Sequence, residues 1–412
     1  MPLRSAGSRP AFPTVSEPDG RTLGEAEIEA LTRVVHSAKL CRTNGHEVDQ
    51  LEAEFAALIG AGHAVASTSG TAAIHLAVAA LDPEPGDEII VPPISDFGTV
   101  AGVLAQNAIP VFADVDPGTG CLTAASVAAA ITPRTKAIIV VHLFGGPAPI
   151  DEIVQLARVR GIAVIEDCAQ AYLTLPEGGS GFAGTRGDIG CFSLQQSKHI
   201  TAGDGGLTVT DDPALARRMK LFADKGWPRD TGERTHLFFG LNYRMTELQA
   251  AVARAQLSKL PGVVERRRRT GAAAIAGLSG LPGLRLVASP QSHSFWMFPV
   301  VLDRSVIGKD CRVFAAGLAE LGVPAVGGYL TTPLHLVPAV ADRSPYGRSD
   351  FPYSMPPASR EIRYRPGDCP VAESMVAETL LVIAWNEGYG TEQVEWVVDA
   401  VREVHAGAVP GR

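Results

Sequence analysis

Residues 136–170 read KAIIVVHLFGGPAPIDEIVQLARVRGIAVIEDCAQ. Two short apolar runs, Lys136–His142 and Ala163–Glu166, flank a stretch, Pro149–Arg160, whose apolar residues recur at helical spacing. Strand, helix and strand at this scale is the signature of a parallel crossover. Both runs are continuously apolar rather than alternating, as a sheet covered on both faces requires. The expected fold class is therefore α/β, a mostly parallel sheet with helices on both sides.

The same alternation extends outward. Upstream, His63–Ser67, Glu88–Val91 and Ile109–Ala113 read as strands, separated by helical patterns at Thr71–Ala80, Gly98–Gln106 and Thr123–Ala130. Before them, Ile28, Leu31, Val34 and Val35 mark one helix, and Leu51, Phe55 and Leu58 mark a second that Gly60 and Gly62 close. Downstream, Asp188–Leu194 and Gly206–Thr210 read as strands around a Gly-rich turn. One long helix is expected from Met245 to about Ala276. Beyond it the chain reads as a smaller α+β unit, with strands near Phe295–Val301 and Leu380–Ala384 and helices near Cys311–Leu321 and Glu392–Val404. The expected division is an N-terminal arm at 1–22, rich in Pro, Ser and Gly and loosely attached, a large domain at 23–260 and a small one at 261–412. The Pro-rich stretch Pro345–Pro357 reads as an ordered surface loop.

Composition narrows the function classes. The 412 residues, 46% hydrophobic and 19% charged, suit a globular protein with a large interior. A net charge of -8 lacks the basic excess that binding to nucleic acid needs. The one dense basic run, Arg266 to Arg269, reads as a solvated helix face. The six cysteines (Cys41, Cys121, Cys168, Cys191, Cys311 and Cys369) form no C-x-x-C pair, which argues against a metal framework and for reduced, mostly buried thiols. No apolar stretch reaches the roughly 20 residues that span a bilayer. No apolar run follows Arg4 and Arg9, so no signal peptide is expected, and the default location is cytoplasmic.

Three places carry chemistry. Lys198 follows a strand in Ser193-Leu194-Gln195-Gln196-Ser197-Lys198 and precedes Thr201-Ala202-Gly203-Asp204-Gly205-Gly206. A desolvated lysine loses its proton and attacks carbonyl carbon. Asp167 ends the strand Ala163-Val164-Ile165-Glu166, at the strand end where ligands bind in open α/β sheets. A carboxylate there pairs with a pyridinium and keeps it protonated. Gln170 follows, able to donate to a phenolic oxygen. Ser67-Thr68-Ser69-Gly70-Thr71 opens a helix whose free amides attract an anion, with Gly70 allowing close approach and Thr71 adding a donor. These are the parts that a pyridoxal phosphate site requires.

The motifs together carry a resemblance. Thr68-Ser69-Gly70-Thr71-Ala72-Ala73-Ile74-His75, Val141-His142-Leu143-Phe144-Gly145, Glu166-Asp167-Cys168-Ala169-Gln170, Cys191-Phe192-Ser193 through Lys198 to Gly206, and Asn242-Tyr243-Arg244-Met245 resemble the DegT/DnrJ/EryC1/StrS family, in family order from about Gly24 to Val404. The resemblance implies a pyridoxal-phosphate-dependent, fold-type I, aspartate-aminotransferase-like architecture, and an enzyme that aminates keto-sugars or keto-cyclitols. It implies that Lys198 holds the cofactor as a Schiff base and carries the proton. Asp167 would face the pyridine nitrogen and Gln170 the phenolic oxygen, while Ser193, Gly70 and Thr71 would hold the phosphate. Asn242 would reach the phosphate of a neighbouring subunit in a homodimer, with Arg244 near the substrate. His335, in Pro333-Leu334-His335-Leu336, is a candidate substrate contact, although a buried structural histidine suits it better.

The chain departs from the family pattern in one place. Where relatives place an aromatic residue that stacks on the pyridine ring, spacing puts Asp96 here, so either Phe97 takes the stacking role or the ring face is covered otherwise. The favoured reaction moves an amino group from glutamate or glutamine to a nucleotide-linked keto-sugar or a free cyclitol, as in aminosugar or aminocyclitol antibiotic assembly. The alternative is another pyridoxal phosphate reaction on the same fold, aldol-type, decarboxylating or dehydrating. Sugar deoxygenation in the family places histidine at the lysine position, and Lys198 argues against that route, His199 being one residue off. A non-enzymatic regulatory homologue would carry a DNA-binding segment, and no helix-turn-helix is apparent.

Overall fold

The computed structural model describes residues 9–178, 181–356, 358 and 360–408. Its larger sheet has seven strands: β1 (His63–Ser67), β2 (Glu88–Val91), β3 (Ile109–Phe112), β4 (Thr135–Val141), β5 (Ala163–Asp167), β6 (Ile189–Ser193) and β7 (Gly206–Thr210), in the order β1-β7-β6-β5-β4-β2-β3. The pairs among β2 to β6 are parallel, and β7 alone runs antiparallel, against both β6 and β1. The reason is local: β6 returns as β7 through the Gly-rich loop that carries Lys198, with no crossover helix between them.

Helices cover both faces. They are α1 (Glu25–Ser37), α2 (Glu47–Ile59), α3 (Gly70–Ala80), α4 (Gly98–Ala105), α5 (Ala124–Ala130), α6 (Ile150–Arg158), α7 (Pro213–Phe222), α8 (Glu247–Leu257) and α9 (Leu260–Leu278). The long helix expected from Met245 is two helices, α8 and α9. Pro261 lies in the first turn of α9, where its missing N–H is harmless; inside a continuous helix it would break a hydrogen bond.

The second sheet is antiparallel: β8 (Leu284–Arg285), β9 (Met297–Leu302), β10 (Ala325–Gly327) and β11 (Leu380–Ala384), in the order β10-β11-β9-β8. Strand alternation gives it two buried faces. Leu381 and Ile383 pack with the helices Cys311–Glu320 and Thr391–Ala406, while Leu380 and Val382 join the core of the larger sheet. The smaller unit is thus seated on the larger one through its own strands.

Two further expectations change. The segment before α1 is tied down from Arg9 onward, residues 1–8 lying outside the described residues. Carbonyls of Ala11, Val15 and Gly20 accept hydrogen bonds from Gln393, Gln196 and Asn386, donors that belong to both units. The basic run at 266–269 is a solvated face only in part, Arg269 being exposed. Arg267 is fully buried, donating to Glu387 and to the carbonyls of Phe295, Trp296 and Trp385. Of the Pro345–Pro357 loop, Tyr353 is buried and the Tyr346 hydroxyl binds the Leu104 carbonyl; Pro357 lies outside the described residues. Cys41 is exposed and the other five cysteines are buried thiols. Among the described residues no helix is long and apolar enough to cross a membrane.

Candidate active site at the carboxyl ends of β5 and β6

Asp167, the last residue of β5, is buried. Its Oδ2 accepts from the Thr99 hydroxyl at 2.8 Å and its Oδ1 from the Ala169 amide at 3.1 Å. Burial pushes its carboxyl above the usual range, and these two donors with the charge of Lys198 oppose that rise. Lys198 is 8% exposed. Burial holds its amine below the ordinary lysine value, with Asp167 and Asp96 pulling the other way. The Lys198 Nζ sits 4.2 Å above the Trp296 ring, and the Trp296 indole N–H donates to the Ser197 carbonyl at 2.7 Å. Behind the loop, the buried guanidinium of Arg21 donates to the Lys198 carbonyl at 2.8 Å.

Gln170 is oriented by its own backbone surroundings. Its Oε1 accepts from the Phe144 amide at 2.7 Å, which turns the amide nitrogen toward Tyr329, whose hydroxyl lies 3.1 Å from Nε2. Burial keeps that hydroxyl protonated, well above its usual range. Phe144, Trp296 and Tyr329 pack edge to face or stacked, with centroids 5.0 to 6.5 Å apart. Phe144 and Tyr329 hold positive φ, as does Phe295 beside Trp296. Bulky residues adopt that conformation only where surrounding packing enforces it, a condition concentrated at functional sites.

One layer behind, Glu166 is fully buried and accepts from the amides of Gly184, Arg186 and Gly187 and from His142 Nε2. His142 Nδ1 accepts from the Ala148 amide, so the ring is neutral with its proton on Nε2. Burial raises the Glu166 carboxyl, but His142 and the amides outweigh it and hold the group below the usual range. These bonds fix β5, the 184–187 turn and β4 around the Asp167 backbone.

A close approach lies at the start of α3. A Cβ on Gly70 would sit 2.7 Å from the Ser193 Cβ, and one on Gly206 would sit 2.1 Å from the Ser69 carbonyl oxygen. Ser69 caps the helix by accepting from the Ala72 amide. The start of α3 therefore lies against Ser193 at a spacing only glycine permits.

Residues 21–363 match the model of the DegT/DnrJ/EryC1/StrS aminotransferase family. The chain belongs to that family. It is 43% identical over 280 residues (67% of this chain, 74% of the relative) to a UDP-N-acetyl-3-dehydro-alpha-D-glucosamine 3-aminotransferase of Acidithiobacillus ferrooxidans. It is 37% identical over 349 residues (79% of each chain) to an L-glutamine:2-deoxy-scyllo-inosose aminotransferase of Streptomyces kanamyceticus. Among solved structures, S. venezuelae DesV in complex with a ketimine intermediate superposes with a TM-score of 0.80 at 32% identity, over 92% of this chain and 94% of that one. The architecture is the fold-type I, aspartate-aminotransferase-like one of the family's enzymes.

Of the residues singled out in the sequence, this aminotransferase brings Asp167, Gln170, Lys198, Ser193, Gly70 and Thr71 to one end of the larger sheet. Asp96 stands at the same end: a Cβ on Gly98 would lie 2.7 Å from Thr71 Oγ1 and 3.0 Å from Asp96 Oδ1. Asp96 accepts from the amide of Gly98, the first residue of α4. Phe97 is 38% exposed and makes no ring contact with another aromatic residue among the described residues. Asn242 is exposed, paired through its backbone with Asp224, and Arg244 forms an ion pair with Asp224; neither bonds to the Lys198 cluster. His335 is fully buried, 3.1 Å from Glu373 and packed against Phe112, as suits a buried structural histidine. His199 also points away, its Nε2 on the Ser294 carbonyl.

Sequence reading missed Thr99, Trp296, Tyr329 and Arg21. Nothing in their neighbourhoods along the chain marks them, since each meets the site from a different element.

Proposed function

We propose that this aminotransferase holds pyridoxal phosphate at Lys198 and moves an amino group from glutamate or glutamine to a ketone. The ketone would belong to a nucleotide-linked sugar or a free cyclitol, in a cytoplasmic step of aminosugar or aminocyclitol antibiotic assembly. The observation that carries the reading is the desolvated Lys198 amine on the Trp296 face beside a buried, doubly hydrogen-bonded Asp167. The sugar and cyclitol aminotransferases to which the chain is similar support the acceptor class.

The residues suit the cofactor. The glycine-limited gap between Gly70 and Ser193 is a cradle for a phosphate, with the α3 amides and the hydroxyls of Thr71 and Ser193 as donors. When bound, pyridoxal phosphate supplies the electron sink for a carbon that loses its proton. Asp167 would keep a proton on the ring nitrogen. Gln170 has its oxygen committed to Phe144, so an N–H remains for the phenolic oxygen. Lys198 Nζ would take the proton from the donor's α-carbon and deliver it to the cofactor carbon on the far side of the amino nitrogen, general acid–base work suited to a desolvated amine. The Phe144, Trp296 and Tyr329 rings would exclude water from that transfer. In this reading 23–260 is the cofactor domain and 261–412 the smaller one, and a second copy of the chain completes the site through Asn242.

A half-reaction experiment tests the proposal. Purified holoenzyme is incubated with single amino acids while conversion to the pyridoxamine form is followed by absorbance, and the aminated enzyme is then offered ketones. Glutamate or glutamine should convert it, and a keto-sugar or keto-cyclitol should restore the starting spectrum. Failure of every amino acid to convert it would overturn the proposal.

A further inference from the structure

Asp167 does not stand alone at the end of β5. Thr99, in the first turn of α4, donates its hydroxyl proton to Asp167 Oδ2 at 2.8 Å, and the Ser95 hydroxyl lies 2.7 Å from Thr99 Oγ1. All three side chains are buried, with Ser95 and Thr99 each 1% exposed and Asp167 6%. A hydroxyl has one proton to give. Thr99 commits its proton to the carboxylate, so Ser95 must be the donor in the second bond. The result is a directed chain, Ser95 to Thr99 to Asp167, whose polarity is set by a charged carboxylate at its end. Each donor polarises the next, which strengthens the last bond.

We propose that Thr99, backed by Ser95, is the positioning residue that keeps Asp167 ionised and aimed at the cofactor's ring nitrogen. The inference rests on the reading that Asp167 faces that nitrogen. A carboxylate this deeply buried tends to take up a proton. A protonated Asp167 could not hold a pyridinium. The groups that bear on it are the Lys198 amine, the Asp96 carboxylate, the Cys168 and Cys191 thiols and the Tyr329 hydroxyl. Of these only Lys198 favours the charged form, and its amine is the one that the cofactor engages. The Thr99 hydroxyl and the Ala169 amide are then the donors left to sustain the charge. The backbone amide stays whatever the side chains are, so the hydroxyl chain is the adjustable part. Occupying Oδ2 from the α4 side also leaves the opposite lone pairs of the carboxylate for the ligand.

The test compares Thr99→Val, Thr99→Ser, Ser95→Ala and Asp167→Asn, each verified as folded by circular dichroism. Two quantities are read: the affinity of apoenzyme for pyridoxal phosphate, by absorbance titration, and the pH dependence of the bound cofactor's visible band. Thr99→Val, isosteric but without the hydroxyl, should weaken cofactor binding about tenfold and shift the spectral transition. Thr99→Ser should restore both, and Ser95→Ala should shift both in the same direction by a smaller amount. If Asp167→Asn changes both quantities and Thr99→Val neither, the positioning role is wrong while the assignment of Asp167 stands. If Asp167→Asn also leaves both unchanged, the reading of Asp167 itself fails. If Thr99→Val alone does not fold, Thr99→Ser with wild-type values beside a shifted Ser95→Ala supports the chain, and an unshifted Ser95→Ala overturns it.

Discussion

Lys198 Nζ rests 4.2 Å above the ring of Trp296, a residue that enters from the second sheet while the lysine hangs from the first. An ammonium on an indole face gains roughly 0.5–2 kcal/mol, more as water is excluded. The same indole fixes the lysine's loop through the Ser197 carbonyl. The smaller unit therefore reaches into the chemistry of the larger one through Trp296 at the lysine, as it does through Tyr329 at Gln170.

Replacing Trp296 separates its two roles. Trp296→Phe keeps an aromatic face but loses the N–H, and Trp296→Leu loses both. The expected order of single-turnover rates with amino donor is wild type, then Phe, then Leu, with Leu at least about tenfold down. Equal rates for Phe and Leu would assign the effect to the loop hydrogen bond alone.

The depressed amine of Lys198 has a pH signature. Only the neutral amine attacks the cofactor's carbonyl, so covalent attachment to apoenzyme rises with pH as Lys198 loses its proton. Burial lowers its pKa, so the rise should be centred below the ordinary lysine value of about 10.4. Asp167 opposes that lowering, so Asp167→Asn should move the rise to still lower pH. Borohydride-trapped cofactor, measured against pH for both proteins, checks the position and the direction. A wild-type curve centred at the ordinary value would mean the amine is solvated in solution.

How much of this was readable beforehand depends on whether the signal was local. The strands at His63–Ser67, Glu88–Val91 and Gly206–Thr210 were legible to the residue, because continuous apolar runs end there at turn-forming residues. Lys198, Asp167 and the Gly70 turn were legible because a strand end or helix start adjoins them. The break between α8 and α9 was hidden by an apolar period that runs through Pro261. Arg267 was misread because a run of four arginines does not reveal that one of them faces Glu387, 120 residues away. Thr99, Trp296 and Tyr329 owe their places to packing between elements distant in the chain, which no window of sequence contains.

Glu166 should prove structural where Asp167 proves functional. Its carboxylate receives three backbone amides and His142, and an amide in its place can accept at only one oxygen. Glu166→Gln should destabilise the protein by roughly 1.5–3 kcal/mol for each hydrogen bond to the charged group that is lost. The folded pKa lies below the usual one, so the stabilisation is present above the unfolded value of about 4.3 and is lost as pH falls through the folded value. Unfolding midpoints of wild type and variant should differ at pH 7 and draw together only in acid, as pH falls through the folded value. A constant gap across that range would place the loss in packing rather than charge.

Asn242 poses the question of a second chain. It is exposed, its backbone is paired with Asp224, and it makes no bond to the Lys198 cluster of its own chain. A phosphate at the start of α3 would draw on one helix terminus, worth ~0.3–1 kcal/mol from the dipole, and on the Ser193 and Thr71 hydroxyls. Charge-assisted bonds from a neighbouring subunit, at roughly 1.5–3 kcal/mol each, would complete its neutralisation, and a ligand gripped by both chains would favour the dimer. The expected behaviour is a homodimer whose sites each combine Lys198 from one protomer with Asn242 from its partner. Mixing Lys198→Ala chains with Asn242→Asp chains tests this directly. If sites are shared, one site of each mixed dimer is wholly wild type, and up to about a quarter of the activity returns in a statistical mixture. If Asn242 serves its own chain, every site in every dimer carries a defect and no activity returns. Subunit exchange, verified with two affinity tags, makes either result decisive.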